Sequence, residues 1–194
     1  MREMISMIVV LTVLASVSGG LLAAVKSGTE LRIEEQVLKF LQAPAIESLF
    51  SEVTNEPLRE RFNLDAGEKT IQVFPGKMPD GSTAVAFETF GKGGYGGDIG
   101  LIVGINLDTD QVIGARVTTH SETPGLGSRV KDELTFVSQF AQKPLDANLA
   151  LKSDGGTIDS ISGATVTCRA VTRAAIQAQE LYRQLKPEII KQIQ

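Results

Sequence analysis

The run from Ile5 to Val25 holds 21 residues without a single charge. As an α-helix it would extend about 31 Å, which matches the hydrocarbon thickness of a bilayer. A chain that opens this way either keeps the segment in a membrane or loses it as a signal peptide. Leu22-Ala23-Ala24 offers small residues for cleavage, but the apolar stretch of a signal peptide runs only about 7–15 residues. The expectation is therefore an uncleaved, single-pass anchor. Arg2 precedes the span while Lys26 and Arg32 follow it closely, so the basic residues set no clear orientation.

At 194 residues, the chain suits one domain of ordinary size behind that anchor. Thr29 to Phe50 reads as helix, with Leu31, Val37, Leu38 and Leu41 on an apolar side until Pro44 interrupts it. Ser51 to Lys69 is mixed and polar and gives no clear element. From Thr70 the period becomes two. Thr70–Phe74, Thr83–Phe90, Ile99–Leu107 and Val112–Thr119 read as strands, separated by Pro79-Asp80-Gly81, by Gly91 to Gly97 and by Asp108-Thr109-Asp110. Connections this short imply antiparallel neighbours. Val130–Phe140 reads as a helix and Leu149–Leu151 as a short strand. Ala164–Leu185 reads as a long closing helix with Val171, Ala174, Ala178, Leu181 and Leu185 on one stripe, ended by Pro187.

Strands grouped before helices define an α+β class: an antiparallel sheet with flanking helices, preceded by one transmembrane helix. The corresponding divisions are an anchor over 1–28, a helical connector over 29–69, a globular domain over 70–187 and a tail over 188–194.

Composition narrows the chemistry. A formal net charge of -4 and a pI near 5.1 disfavour a nucleic-acid partner. The absence of Trp removes the best base-stacking platform. One His and one Cys leave no metal cluster for this chain to build alone, and no internal disulfide. Cys168 reads as a small buried thiol. His120 has no Ser or acid partner at recognisable spacing, so it reads as structural and no catalytic residue is assigned.

Three stretches carry the remaining signal. Asp159-Ser160-Ile161-Ser162-Gly163-Ala164-Thr165 stands directly before the last helix. Ser162 is a good N-cap residue and Gly163 admits a close backbone approach. Thr165 then presents its hydroxyl in the first turn, beside N–H groups that have no partner, where a phosphate can sit. His120 to Gly127 follows a strand and precedes a helix. In it Pro124 fixes backbone shape, Gly125 and Gly127 admit a close ligand, and Leu126 is held out between them. Gly93 to Gly100 is glycine-rich but lacks the Lys-Ser/Thr pair of a P-loop. It reads as a hairpin tip, with Tyr95 at its centre, whose glycines let a ring or loop come close. On residues alone, a capped helix and an ordinary connection remain open.

The seven-residue run resembles the D-x-x-[S/T]-G-A-[T/S] target of the flavin transferase that attaches FMN to protein through a phosphoester. On that resemblance Thr165 is the acceptor, and Asp159, Ser162, Gly163 and Ala164 form the recognition frame. Glu122-Thr123-Pro124-Gly125-Leu126-Gly127 resembles the E-T-P-G-x-G loop of FMN-binding domains. The order of anchor, sheet, Tyr95 turn, Glu122–Gly127 loop and Thr165 motif resembles the G subunit of the Rnf ion-translocating electron-transport complex. The related C subunit of the sodium-pumping NADH:quinone reductase is usually longer and carries Gly-Leu-Trp where Tyr95-Gly96-Gly97 stands here.

The resemblance implies covalent FMN on Thr165, with Glu122 to Gly127 and Tyr95 around the flavin. It implies a flavin domain on the periplasmic side of the inner membrane. The function it implies is electron relay inside a ferredoxin/NAD-type complex that drives ion translocation. Its partners would be the other integral and peripheral subunits, with the flavin transferase during maturation. A stand-alone flavoprotein of another extracellular electron chain would share every motif. A non-redox module holding a phosphate or a partner at the same helix start is the third reading.

Overall fold

The computed structural model describes residues 2–67 and 69–193. Two compact units divide the chain, Met1–Phe40 and Leu41–Gln194. The first is helical. Helix α1 (Arg2–Val37) buries no residue of its own, so its apolar side chains from Met4 to Val25 face outward all round. A helix with that surface suits a lipid bilayer. It is the one helix among the described residues long and apolar enough to cross a membrane. The helical path continues through a π-turn at Leu38–Gln42 into α2 (Ala43–Leu49). Pro44 therefore does not end the helical path as its position suggested. It lies in the first turn of α2, where a missing N–H costs least, directly after the widened turn.

The second unit is built on five strands in the order β1-β2-β3-β4-β5, every neighbour antiparallel. They are β1 (Phe62–Asp65), β2 (Thr70–Lys77), β3 (Thr83–Gly91), β4 (Ile99–Asn106) and β5 (Gln111–Val117). The α+β class and four of the strands stand where the alternation put them. Strand β1 lies inside the stretch that gave no reading. It pairs only from Phe62↔Val73 to Asp65↔Thr70, which leaves Pro75 of β2 on an open edge, where proline is tolerated. There the Asn55 side chain takes a strand's place, donating to Pro75 O at 3.0 Å and accepting from Lys77 N at 2.8 Å.

Both faces of the sheet are covered. Helix α5 (Thr165–Ile193) lies on one face and lays Ala170, Val171, Ala174, Ala178 and Tyr182 into the same core as Val85, Phe87, Leu101 and Val103. Helix α2 lies on the other, with Leu49 Cδ2 only 2.9 Å from where a Cβ on Gly114 would stand. The closest approach of α5 is at Gly91, where an added Cβ would lie 1.8 Å from Ala170 O. A residue with any side chain there would push the helix off the sheet.

Three expectations need correction. Pro187 does not end the last helix; it lies inside α5, which runs on to Ile193. Ile189 is fully buried beyond it, and that burial outweighs the hydrogen bond a mid-helix proline removes. The helix expected over Val130–Phe140 is two short ones, α3 (Arg129–Asp132) and α4 (Leu134–Ser138), broken by the extended backbone of Glu133. Leu149–Leu151 is no strand but a single parallel bridge, Leu151 to Ile158, followed by a 3-10 turn at Lys152–Asp154.

Candidate functional site

Two turns of the same kind meet at the head of α5. In the first, Ala164 N donates to Ile161 O at 3.0 Å across Ser162 and Gly163, and Gly163 has φ +82°. A positive φ at the third residue is what a type II turn requires. In the second, Leu126 N donates to Thr123 O at 3.2 Å across Pro124 and Gly125, with Gly125 at φ +73°. Ser128 Oγ accepts from Gly125 N at 2.9 Å and fixes that loop from inside. Each turn thus combines the proline or glycine its geometry demands with a short backbone closure.

The turns touch. Leu126 Cδ1 lies 3.3 Å from where a Cβ on Gly163 would stand, and Arg129 Nη1 donates to Ser162 O at 3.0 Å. Ser162 is therefore not the N-cap that its type suggested. Ala164 is the residue before the helix, because Gly163 has already turned the chain. Thr165 is half-buried, and its hydroxyl has no hydrogen-bond partner among the described residues. The N–H groups of Thr165, Val166 and Thr167 precede the first helical bond of α5, from Cys168 N to Ala164 O at 2.9 Å. Those free donors and the positive end of a 29-residue helix favour an anion at this corner, while the Arg129 guanidinium is shared between Ser162 O and the Glu133 carboxylate, the latter at 2.6 Å.

The surface beside it is apolar. Leu126 is 49% exposed and Val166 of the first helical turn 47%. Tyr95 is 82% exposed at its hairpin tip. Around it the glycines admit a loop: a Cβ on Gly96 would meet Ser121 O at 2.0 Å. Thr123, Pro124 and Gly125 are exposed with Leu126, whereas Gly127 is buried.

Glu122 and Asp159 sit differently. Glu122 is 6% exposed, and both carboxylate oxygens are occupied, Oε1 by Gly96 N at 2.8 Å and Oε2 by Thr167 Oγ1 at 2.7 Å. Asp159 is at the rim, its carboxylate on Lys152 Nζ at 2.7 Å and its backbone held by the Gln139 side chain. His120 Nδ1 accepts from Glu122 N at 3.3 Å. Cys168 is buried and accepts from Ile161 N at 3.3 Å; burial pushes its thiol above the ordinary range, so it stays protonated. Thr167, Ser128 and Arg129 were not singled out from sequence. Ser128 follows the Pro-Gly turn closely enough to have been suspected, whereas nothing local marks the other two.

The residues present suit FMN. A free hydroxyl at an electropositive helix start fits a phosphate, and the apolar turn packed across Gly163 fits a flat ring. Fold and site together define the class, proteins built on an FMN-binding domain, and residues 94–180 match that domain family. Among relatives, the chain is 36% identical to the G subunit of the ion-translocating oxidoreductase complex of Escherichia coli O157:H7, over 95% of this chain and 93% of that one. It is 36% identical to the protein of the same name from Salmonella typhimurium, over 91% of this chain and 92% of that one. The chain belongs to the family of G subunits of ion-translocating oxidoreductase complexes. Among solved structures, similarity extends to the C subunit of the Na(+)-translocating NADH-quinone reductase of Parabacteroides distasonis, with 20% identity, 68% of each chain covered and a TM-score of 0.49. It extends also to Shewanella oneidensis NqrC, with 25% identity, 78% and 76% covered and a TM-score of 0.47.

Proposed function

We propose that this chain is the membrane-anchored flavin carrier of an ion-translocating oxidoreductase complex of ferredoxin/NAD type, with FMN joined through a phosphoester to Thr165 Oγ. The observation that supports this most is the unpartnered Thr165 hydroxyl, presented at the head of α5 beside a turn that packs against Leu126. When bound, FMN supplies reversible electron uptake and release. The chain's residues hold and surround it. Thr165 contributes the hydroxyl oxygen, and the free N–H groups at the helix start offset the phosphate charge. Leu126, Val166 and Tyr95 offer exposed apolar surface that a flavin ring would cover. Asp159, exposed at the rim, is open to recognition by the flavin transferase during maturation.

A tether at the phosphate leaves the redox ring unaltered and keeps the flavin at high local concentration outside the cytoplasm, where a lost cofactor could not readily be replaced. Helix α1 retains the carrier in the inner membrane next to the other subunits, and the flavin domain faces the periplasm. Protease added to right-side-out vesicles should digest that domain; resistance would reverse the orientation.

The test of the site is the intact mass of protein purified from its own host. Wild type should carry FMN less one water, and Thr165→Ala should be folded, membrane-bound and unmodified. Thr165→Ser should still accept flavin, because the linkage needs only a hydroxyl. Covalent flavin on Thr165→Ala would overturn the assignment. Co-purification with other subunits separates a complex member from a solitary flavoprotein. Absorbance that persists near 450 nm, a property of the flavin ring, after denaturation separates either from a non-redox module.

A further inference from the structure

We infer that Glu122 is a positioning residue for the flavin bed and does not touch the cofactor: its buried carboxylate joins the Tyr95 hairpin to the first turn of α5. This rests on the reading of Thr165 and the Pro124–Gly127 turn as the place where FMN is held.

The geometry leaves little freedom. Glu122 accepts from Gly96 N at 2.8 Å and from Thr167 Oγ1 at 2.7 Å, across 26 and 45 positions of sequence. Glycines line it on two sides. A Cβ on Gly127 would lie 2.4 Å from Oε2 and 2.9 Å from Thr167 Oγ1, and a Cβ on Gly94 would lie 2.7 Å from Oε1. Each oxygen holds a hydrogen bond from the protein and the residue is 6% exposed, so the carboxylate faces the interior and not the ligand side. What the carboxylate does is join three segments, the hairpin, its own loop and the helix head. Thr167 shares the first turn of α5 with Thr165, so fixing its rotamer fixes the turn that presents the acceptor hydroxyl. Gly96 is the immediate neighbour of Tyr95, an exposed ring with no hydrogen bond of its own among the described residues. Hydrogen bonds to a buried carboxylate are stronger than neutral ones, and an orphaned partner is costly. Loss of Glu122 should therefore release the hairpin and the helix head together.

The experiment uses full-length protein in detergent and two independent readouts. The first is amide hydrogen exchange at Gly96, which needs no flavin. Glu122→Ala and Thr167→Val should each accelerate it about ten-fold or more. Glu122→Gln should restore protection, because its amide oxygen can accept from Gly96 N while its nitrogen donates to Thr167 Oγ1. Thr167→Ser should restore it as well. The second readout is the midpoint potential and fluorescence anisotropy of flavin-loaded protein. Both should change in Glu122→Ala and in Thr167→Val, change no further in the double variant, and return towards wild type in the two conservative variants. Thr167→Val keeps the question answerable if Glu122→Ala does not fold. Unchanged exchange in either disruptive variant overturns the joining role. Accelerated exchange with an unchanged potential and anisotropy overturns its relevance to the flavin. Absence of flavin at Thr165 in wild type overturns the underlying reading instead, and exchange still decides whether Glu122 joins the segments.

Discussion

Leu126 and Gly163 meet across the site: Leu126 Cδ1 is 3.3 Å from the point a Cβ on Gly163 would occupy. The two glycine-bearing turns are thus one surface, although they come from opposite sides of α3, α4 and the bridge at Leu151.

Gly163→Ala tests that surface. Alanine at φ +82° carries a conformational penalty of about 1–2 kcal/mol, and its methyl would press on a flexible leucine end. The melting temperature should fall and flavin incorporation should slow. Adding Leu126→Ala relieves the contact but not the backbone, so the double variant should remain less stable than Leu126→Ala alone. Equal stability of those two would show that the penalty is steric.

Gly125→Val and Leu126→Ala test where the ring lies. A Cβ on Gly125 has no protein atom within 4 Å, so in flavin-free protein valine should cost only its backbone strain, about 1–3 kcal/mol. In loaded protein it should also perturb the visible spectrum. Leu126→Ala should leave the flavin attached and shift its potential by admitting water. Redox titration of both variants is the measurement. Unchanged midpoints and spectra would put the ring under the Tyr95 hairpin.

Asp110 predicts an acid limit at the far end of α5. Its carboxylate accepts from Lys186 Nζ at 2.6 Å and from Tyr182 Oη at 2.7 Å, and these bonds, Lys186 first, hold its pKa below the ordinary 3.8. Burial and the same aspartate push the Tyr182 hydroxyl upward, so it remains a donor throughout. A carboxyl depressed in the folded state adds stability that is fully present above its unfolded pKa and lost as pH falls through the folded one. Both partners are partly exposed, so the contribution is at most about 1 kcal/mol. Denaturation of wild type and Asp110→Asn should differ at neutral pH, and the gap should close in acid as pH falls from the ordinary 3.8 through the lower folded-state pKa. A gap that persisted in acid would mean that the interaction with Lys186 contributes nothing.

Much of this was legible from sequence where a residue's type decides its backbone. Pro124, Gly125 and Gly163 announce turns because only such residues take those angles cheaply, and the alternation from Thr70 announces strands because β2 and β3 each turn alternate residues towards opposite faces. What stayed hidden is decided by contacts remote in sequence. Strand β1 is four residues long and exists through its pairing with β2. Pro187 is tolerated because Ile189 has a core to enter. Ser162 is a cap by type, but the turn at Gly163 comes first. The Glu122–Thr167 bond spans 45 positions, and no local pattern specifies it.

Cys168 has a practical consequence. The chain's sole thiol is fully enclosed by the core and protonated, so a maleimide should leave the folded protein unlabelled and mark every molecule that opens. Reagent uptake then counts unfolding of the globular part alone. That signal is free of the 36-residue helix α1, whose circular dichroism would otherwise add to that of the globular part in a melting curve.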